Sequence, residues 1–105
     1  MPVAFPIALA MLAAALQPAS PAQAREAYGA CLDRHVRTSL EASLTVEAFA
    51  ASLETACAAE RARYRNAMLA DGYSEADAEE ELAWSRENVG DSYRGFIETN
   101  TRPAD

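Results

Sequence analysis

The residues whose types could do chemistry are concentrated in one short acidic stretch. Carboxylate oxygens are the ligands that calcium and magnesium ions prefer in proteins, so a cluster of acids is a candidate cation site. The alternate Asp/Asn positions and central glycine of a calcium-binding helix-loop-helix are missing, and acids also favour the first turn of a helix. We therefore expect a solvated face paired with Arg63 and Arg65 and keep a divalent-cation-binding module as the alternative. The acids of the stretch are Glu75, Asp77, Glu79, Glu80 and Glu81.

His35 is the single histidine, and its neighbours do not have the spacing of a catalytic site. A catalytic histidine needs a nucleophile and an orienting carboxylate, and neither Ser39 nor Asp33 is suitably placed. All nine basic residues are arginines, which excludes lysine-based catalysis. Two cysteines and one histidine are too few ligands for a structural zinc site. We predict a protein that is not an enzyme and has no cofactor; an accessory subunit of an envelope enzyme is a further alternative.

Trp84 is the residue most suited to contact a partner protein. It lies about 200° around its helix from Leu82, off the apolar stripe and near three acids, Glu80, Glu81 and Glu87. Tryptophan is enriched at binding hot spots, so we predict a partner-binding role for these four residues. The alternative is that Trp84 covers the first helix or the turn at Tyr73.

Cys31 and Cys57 are predicted to form a disulfide that closes a helical hairpin. Their midpoint is residue 44, inside the predicted turn at residues 42–45. In an antiparallel hairpin, residues equally distant from the turn lie at the same height. The same rule places Val36 beside Leu53, so apolar residues meet at that layer too. A lipid anchor on Cys31 is disfavoured, because charged residues separate this cysteine from the apolar leader.

Three apolar stripes with a spacing of three or four residues predict three amphipathic helices, at about 26–41, 46–71 and 75–97. A second turn near residue 73 places Phe49 beside Ile97 and Leu53 beside Tyr93. The expected fold is all-α, a small three-helix up-down-up bundle whose first two helices carry the disulfide. Residues 25–98 form this domain, and residues 99–105 are predicted to be a disordered tail.

Residues 1–24 resemble a secretory signal. An apolar run at 3–16 precedes the small-x-small site Ala22-Gln23-Ala24, and cleavage is predicted after Ala24. The run is shorter than the roughly 20 residues of a membrane span, so we expect no stable span in the mature chain. We predict a periplasmic or secreted protein, a location where disulfides persist.

The formal charge of −7 belongs to the part of the chain after this leader, since residues 1–24 contain no ionisable side chain. A net acidic domain is a poor ligand for nucleic acid, which is bound by basic surfaces. A basic protein is the partner that this charge favours, and the charge does not indicate an oligomeric state.

An export signal, two cysteines across a helical hairpin and an acidic third helix occur together in this chain. In this combination it resembles the small exported helical proteins of Gram-negative bacteria, some of which inhibit lysozyme. The resemblance implies a non-enzymatic interaction or inhibitor-like module, and it covers architecture without identifying a site residue.

Overall fold

The computed structural model describes residues 19–104, and most of the regular structure in that range is helical. Helix α1 comprises Pro21–Glu41, α2 Val46–Ser52, α3 Ala58–Ala70 and α4 Glu75–Thr99. The all-α fold is therefore confirmed, but the predicted number of three helices is wrong, because the described residues contain four. The predicted leader falls mainly on residues 1–18, which lie outside the described residues.

Helix α1 begins at Pro21, upstream of the predicted start near residue 26. Ser20 caps it: its hydroxyl accepts a hydrogen bond from the Gln23 amide, and the Gln23 side chain accepts one from the Ser20 amide. This reciprocal pair, with a proline in the first helical position, is a strong helix start. Ala24 is buried in the core as a result. Signal cleavage after Ala24 stays a prediction.

The predicted single helix 46–71 is divided by a break at residues 53–57. Four backbone amides there bond to carbonyls three or four residues earlier, but Cys57 then adopts a left-handed conformation with φ 58°. Left-handed backbone cannot continue a right-handed helix. Arg61 stabilises the broken end, since its guanidinium donates to the carbonyl oxygens of Leu53 and Glu54, each at 3.1 Å. These carbonyls would otherwise lack helical partners.

The Cys31–Cys57 disulfide is confirmed, with a Cα–Cα distance of 5.9 Å. It joins the middle of α1 to the residue that precedes α3. A cross-link that closes a loop of 26 residues stabilises a fold by about 3 to 4 kcal/mol on the chain-entropy estimate. For so small a domain this is a large fraction of the total stability.

The break changes which residues face each other in the core. Phe49 was expected beside Ile97, but its ring stacks on Tyr93 at a centroid distance of 4.0 Å. Ile97 is 43% exposed. The shift is four residues, about one helical turn. By contrast, the α3–α4 hairpin keeps close to its predicted register, since Tyr64 donates a hydrogen bond to Glu81 across it.

Helices α1 and α4 run in the same direction, as an up-down-up path requires. Arg25 and Trp84 line one hollow at the beginning of α1, whereas Val36 and Phe96 lie farther along the same seam. The backbones of the two helices approach each other at fewer points than either approaches α3, and half-buried side chains such as Val89 and Phe96 line the seam between them. At its far end, Arg37 donates a hydrogen bond to the Ala104 carbonyl at 2.6 Å. Disorder from residue 99 onward stays a prediction.

Candidate partner-binding surface

Trp84 is the most exposed large apolar side chain among residues 19–104, with 58% of its surface accessible. Its position on α4 places it at the junction of two hollows. One is an acidic hollow of about 420 Å³, and the other is the α1–α4 groove, of about 370 Å³. Trp84 lines these hollows together with α1 residues such as Arg25 and with Tyr73, so the alternative, that it covers the first helix or the Tyr73 turn, also stays a prediction.

The α1–α4 groove is built from two stripes of side chains at helical spacing. Apolar residues form much of its lining, and polar residues of both helices, including Arg25 and Asp33 of α1, form the rest. Tyr28, Leu32 and Val36 belong to the buried core and present only their edges to the groove. The apolar lining consists of Tyr28, Leu32, Val36, Trp84, Val89, Phe96 and Pro103. The polar rim of α4 consists of Ser85, Asn88 and Ser92.

The acidic hollow is lined by Asp77, Glu80 and Glu81 of α4, by the half-exposed Tyr73 and by Arg25 of α1. Three carboxylates and one guanidinium give the hollow a net negative charge. The three acids lie within about 60° of Trp84 around the helix axis, so they share its face. The hollow can therefore attract a cationic group to a position beside the indole ring.

Glu81 is held in place from the core side. Its Oε1 accepts a hydrogen bond of 3.1 Å from the hydroxyl of Tyr64, which is buried. Burial, together with this hydrogen bond and the negative charge of Glu81, raises the pKa of Tyr64 to about 12. The phenol therefore stays protonated at neutral pH and keeps the Glu81 carboxylate oriented.

Glu87 lies apart from the other predicted partner-binding residues. It lines a hollow between α2 and α4 with Val46, Ala50 and Gly90, whereas Trp84, Glu80 and Glu81 line the acidic hollow. Glu87 lies about 20° from Glu80 around the helix but about 10 Å farther along the axis, where it lines the hollow beside α2. The structure thus brings three of the four predicted residues together, and Glu87 is suited to serve as a control position.

The acidic stretch also supplies structural ion pairs. Arg65 bonds to Glu79 at 2.6 Å and lies 3.8 Å from Glu75, and the Glu79 hydrogen bond raises the pKa of Arg65. This confirms the expected pairing of the stretch with Arg65, whereas the pairing with Arg63 stays a prediction. Within residues 19–104, no group of three or more His, Cys, Asp or Glu side chains is arranged to hold a metal ion. The cation-binding alternative stays a prediction that no described contact favours.

His35 is paired with Ser52, a residue that the sequence did not indicate. The His35 Nε2 and Ser52 Oγ atoms are 2.7 Å apart, and the same hydroxyl donates to the Phe49 carbonyl at 2.6 Å. Because a hydroxyl has one proton, Nε2 must supply the proton of the His35–Ser52 bond. That is the reverse of the arrangement in which a histidine activates a serine nucleophile. The His35 ring also stacks on Phe49 at 5.2 Å, which suits a packing role.

Sequence reasoning missed the contribution of α1 to the surface around Trp84. Arg25 and Gly29 line the hollows beside Trp84, which the sequence pattern did not indicate. The assignment of Leu32 and Val36 to the core is confirmed by their burial. None of the helices described in residues 19–104 is long and apolar enough to cross a membrane.

Comparisons of the chain with protein-family models, with curated proteins and with solved structures gave no match.

Proposed function

We propose that the protein is a non-enzymatic interaction module that binds a basic protein partner through the surface centred on Trp84. The observation that carries this proposal is the 58% exposure of Trp84 between the acidic hollow and the apolar α1–α4 groove. An exposed indole supplies a large apolar contact area, and the neighbouring carboxylates attract and orient a cationic partner.

The net charge of −7 also attracts a basic protein, and it acts over a longer distance than the contacts at Trp84. An acidic surface accelerates the encounter with a basic protein, and the effect decreases as salt screens it. The disulfide favours an oxidising compartment, so we place the partner in the periplasm or outside the cell. In such a compartment an inhibitor-like role, in which the module covers a basic surface of its target, suits this charge.

The test uses Trp84 as its own probe, because it is the single tryptophan of the chain. The purified, oxidised protein is titrated with a short peptide of arginine and leucine and, separately, with a peptide in which glutamate replaces arginine. We expect the cationic peptide to shift the Trp84 emission to shorter wavelength in a saturable, salt-sensitive manner, and the anionic peptide to have no effect.

Two variants locate the contact. Glu80→Gln removes a charge from the acidic hollow, whereas Glu87→Gln removes the same charge from the hollow that faces α2. We expect the first to weaken binding by about three- to tenfold and the second by less than about twofold. Equal effects of the two variants would assign the binding to net charge rather than to this surface. No emission change with either peptide would refute the proposal.

A further inference from the structure

We propose that two copies of this chain associate through an exposed face of α4, with the two α4 helices antiparallel about a two-fold axis near Gly90. The occupant of this face is a second copy of the chain, so the pairing goes beyond the proposed binding of a basic protein. The face lies about 100° around α4 from Trp84, and each copy in the pair therefore keeps its Trp84 surface accessible.

The face is a stripe of residues on α4 at spacings of four, three, four and three. At 100° per residue, its members lie within about 40° of one line along the helix. Such a spacing keeps one side of a helix directed at a neighbouring helix, as in a coiled coil. In the single chain every member except the half-buried Gly90 is exposed. The stripe consists of Ala83, Glu87, Gly90, Arg94 and Ile97.

The charges on this stripe are self-complementary. Glu87 and Arg94 are separated by about 10 Å along the helix, and Gly90 lies between them. In a copy related by a two-fold axis near Gly90, Glu87 of each copy lies opposite Arg94 of the other, and two ion pairs form. Arg94 is available for this contact, because its side chain is 57% exposed and approaches its neighbour Asp91 only to 3.9 Å. A parallel arrangement would place like charges together, so the charges select the antiparallel one.

The surroundings of the stripe suit the self-association of an acidic chain. The net charge of −7 makes two copies repel each other at a distance. The hollow between α2 and α4, which the stripe borders, is lined by equal numbers of acids and arginines and is therefore neutral. Its charged residues are Arg86, Glu87, Asp91 and Arg94. Two copies can therefore meet at this face without adding to the local negative charge.

The apolar groups of the face meet in the same arrangement. Ala83 and Ile97 lie about 10 Å from Gly90 in opposite directions, so the axis places Ile97 of each copy against Ala83 of the other. Ile97 is 43% exposed, and Ala83 borders a hollow of about 340 Å³ whose lining includes Val46 and Leu53. The exposed isoleucine of one copy thus enters a partly apolar hollow of the other. At the crossing point Gly90 has no side chain to hold the two helices apart.

The experiment measures the sedimentation of the oxidised protein from about 1 μM to about 1 mM, where we expect a monomer–dimer equilibrium. Glu87→Arg and Arg94→Glu each place like charges opposite one another twice, because the axis repeats every contact. Each should weaken the dimer by at least about tenfold, and the double variant should restore it to within about threefold of the unmodified protein.

Two controls separate this interface from other causes. Glu26→Arg, at an exposed position on α1, changes the net charge as Glu87→Arg does and should not weaken the dimer. Gly90→Leu should weaken it by at least about tenfold, whereas Gly95→Leu, about 120° around α4 from the stripe, should change it by less than about twofold. A Cβ at either glycine meets no atom within 4 Å, so both variants should fold, and far-UV circular dichroism checks this.

The results that would overturn the proposal are distinct from those that bear on Trp84. A protein that stays monomeric at the highest concentration would refute self-association. A dimer that is insensitive to Glu87→Arg and Gly90→Leu, or that the double charge exchange does not restore, would place the interface elsewhere and overturn the proposal. Cationic-peptide binding at Trp84 should be unchanged by Gly90→Leu, so failure of the dimer would leave the proposed function standing.

Discussion

The break between α2 and α3 can be tested at Cys57 by a pair of substitutions with opposite expected signs. Cys57 has φ 58° and ψ 30°, a left-handed conformation that costs an L-residue about 1 to 2 kcal/mol and glycine little. In a continuous helix over 46–71 the preference would be reversed, since glycine is about 1 kcal/mol worse than alanine there. Which of the two variants, Cys57→Gly or Cys57→Ala, is more stable therefore shows whether the helix is broken or continuous at residue 57.

The magnitude follows from these two effects. Glycine also loses more entropy on folding than alanine, by about 0.4 to 1 kcal/mol, which offsets part of its advantage. We expect Cys57→Gly to be more stable than Cys57→Ala by about 1 kcal/mol, or about 4 to 8 °C in melting temperature for a domain of this size. For the continuous helix the same comparison would give about 1 kcal/mol in favour of alanine.

The assay is urea unfolding followed by far-UV circular dichroism. Both variants carry Cys31→Ala so that no unpaired thiol remains, and a stabilising osmolyte in all samples offsets the lost cross-link, which contributes about 3 to 4 kcal/mol. Ala62→Gly, at an exposed position inside α3, is the control and should cost about 1 kcal/mol in the same background. A Cys57→Ala variant more stable than Cys57→Gly would refute the broken-helix geometry.

Two further predictions concern buried tyrosines. The Tyr64 pKa is raised to about 12 from an unfolded value of 10.0, so Tyr64 stabilises the fold fully below pH 10 and loses that contribution as the pH rises towards 12. Urea midpoints should therefore fall less steeply between about pH 9 and pH 11 in Tyr64→Phe than in the unmodified protein, and identical slopes would contradict the assignment. The Tyr93 hydroxyl donates to the Leu44 carbonyl at 2.7 Å, so Tyr93→Phe should lower the free energy of unfolding by about 1 to 2 kcal/mol. An unchanged urea midpoint would contradict this prediction and would mean that water replaces the Tyr93 hydroxyl as the hydrogen-bond donor to Leu44 without loss of stability.

The disulfide and the helical class could be predicted from the sequence because both depend on local spacing. The positions of Cys31 and Cys57 about a turn suffice to bring them to one height in a hairpin. The grouping of Trp84 with Glu80 and Glu81 follows in the same way from the periodicity of one helix. These inferences need only the helical periodicity and the position of one turn.

The break at residues 53–57 could not be predicted from local signals. The segment Leu-Glu-Thr-Ala-Cys contains neither glycine nor proline, and alanine-rich sequence on both sides favours helix. The break is stabilised instead by side-chain contacts that helix propensity does not include. Arg61 donates to the Leu53 and Glu54 carbonyls, and Phe49 stacks on Tyr93 of α4. The α1–α4 groove could not be predicted for a similar reason, because its width depends on the distance between α1 and α4.

The residues of the break span a shorter distance along the bundle axis than the same number of residues would span in a continuous helix. Phe49 consequently meets α4 one turn earlier than an uninterrupted helix would allow, while Tyr64 beyond the break keeps its place. The register of α2 against α4 thus differs from the register of α3 against α4 by about one helical turn. A residue inserted or deleted within 53–56 can be absorbed locally, whereas the same change inside α3 would rotate every following side chain by about 100°. We therefore expect a one-residue insertion in this segment to cost less stability than the same insertion inside α3.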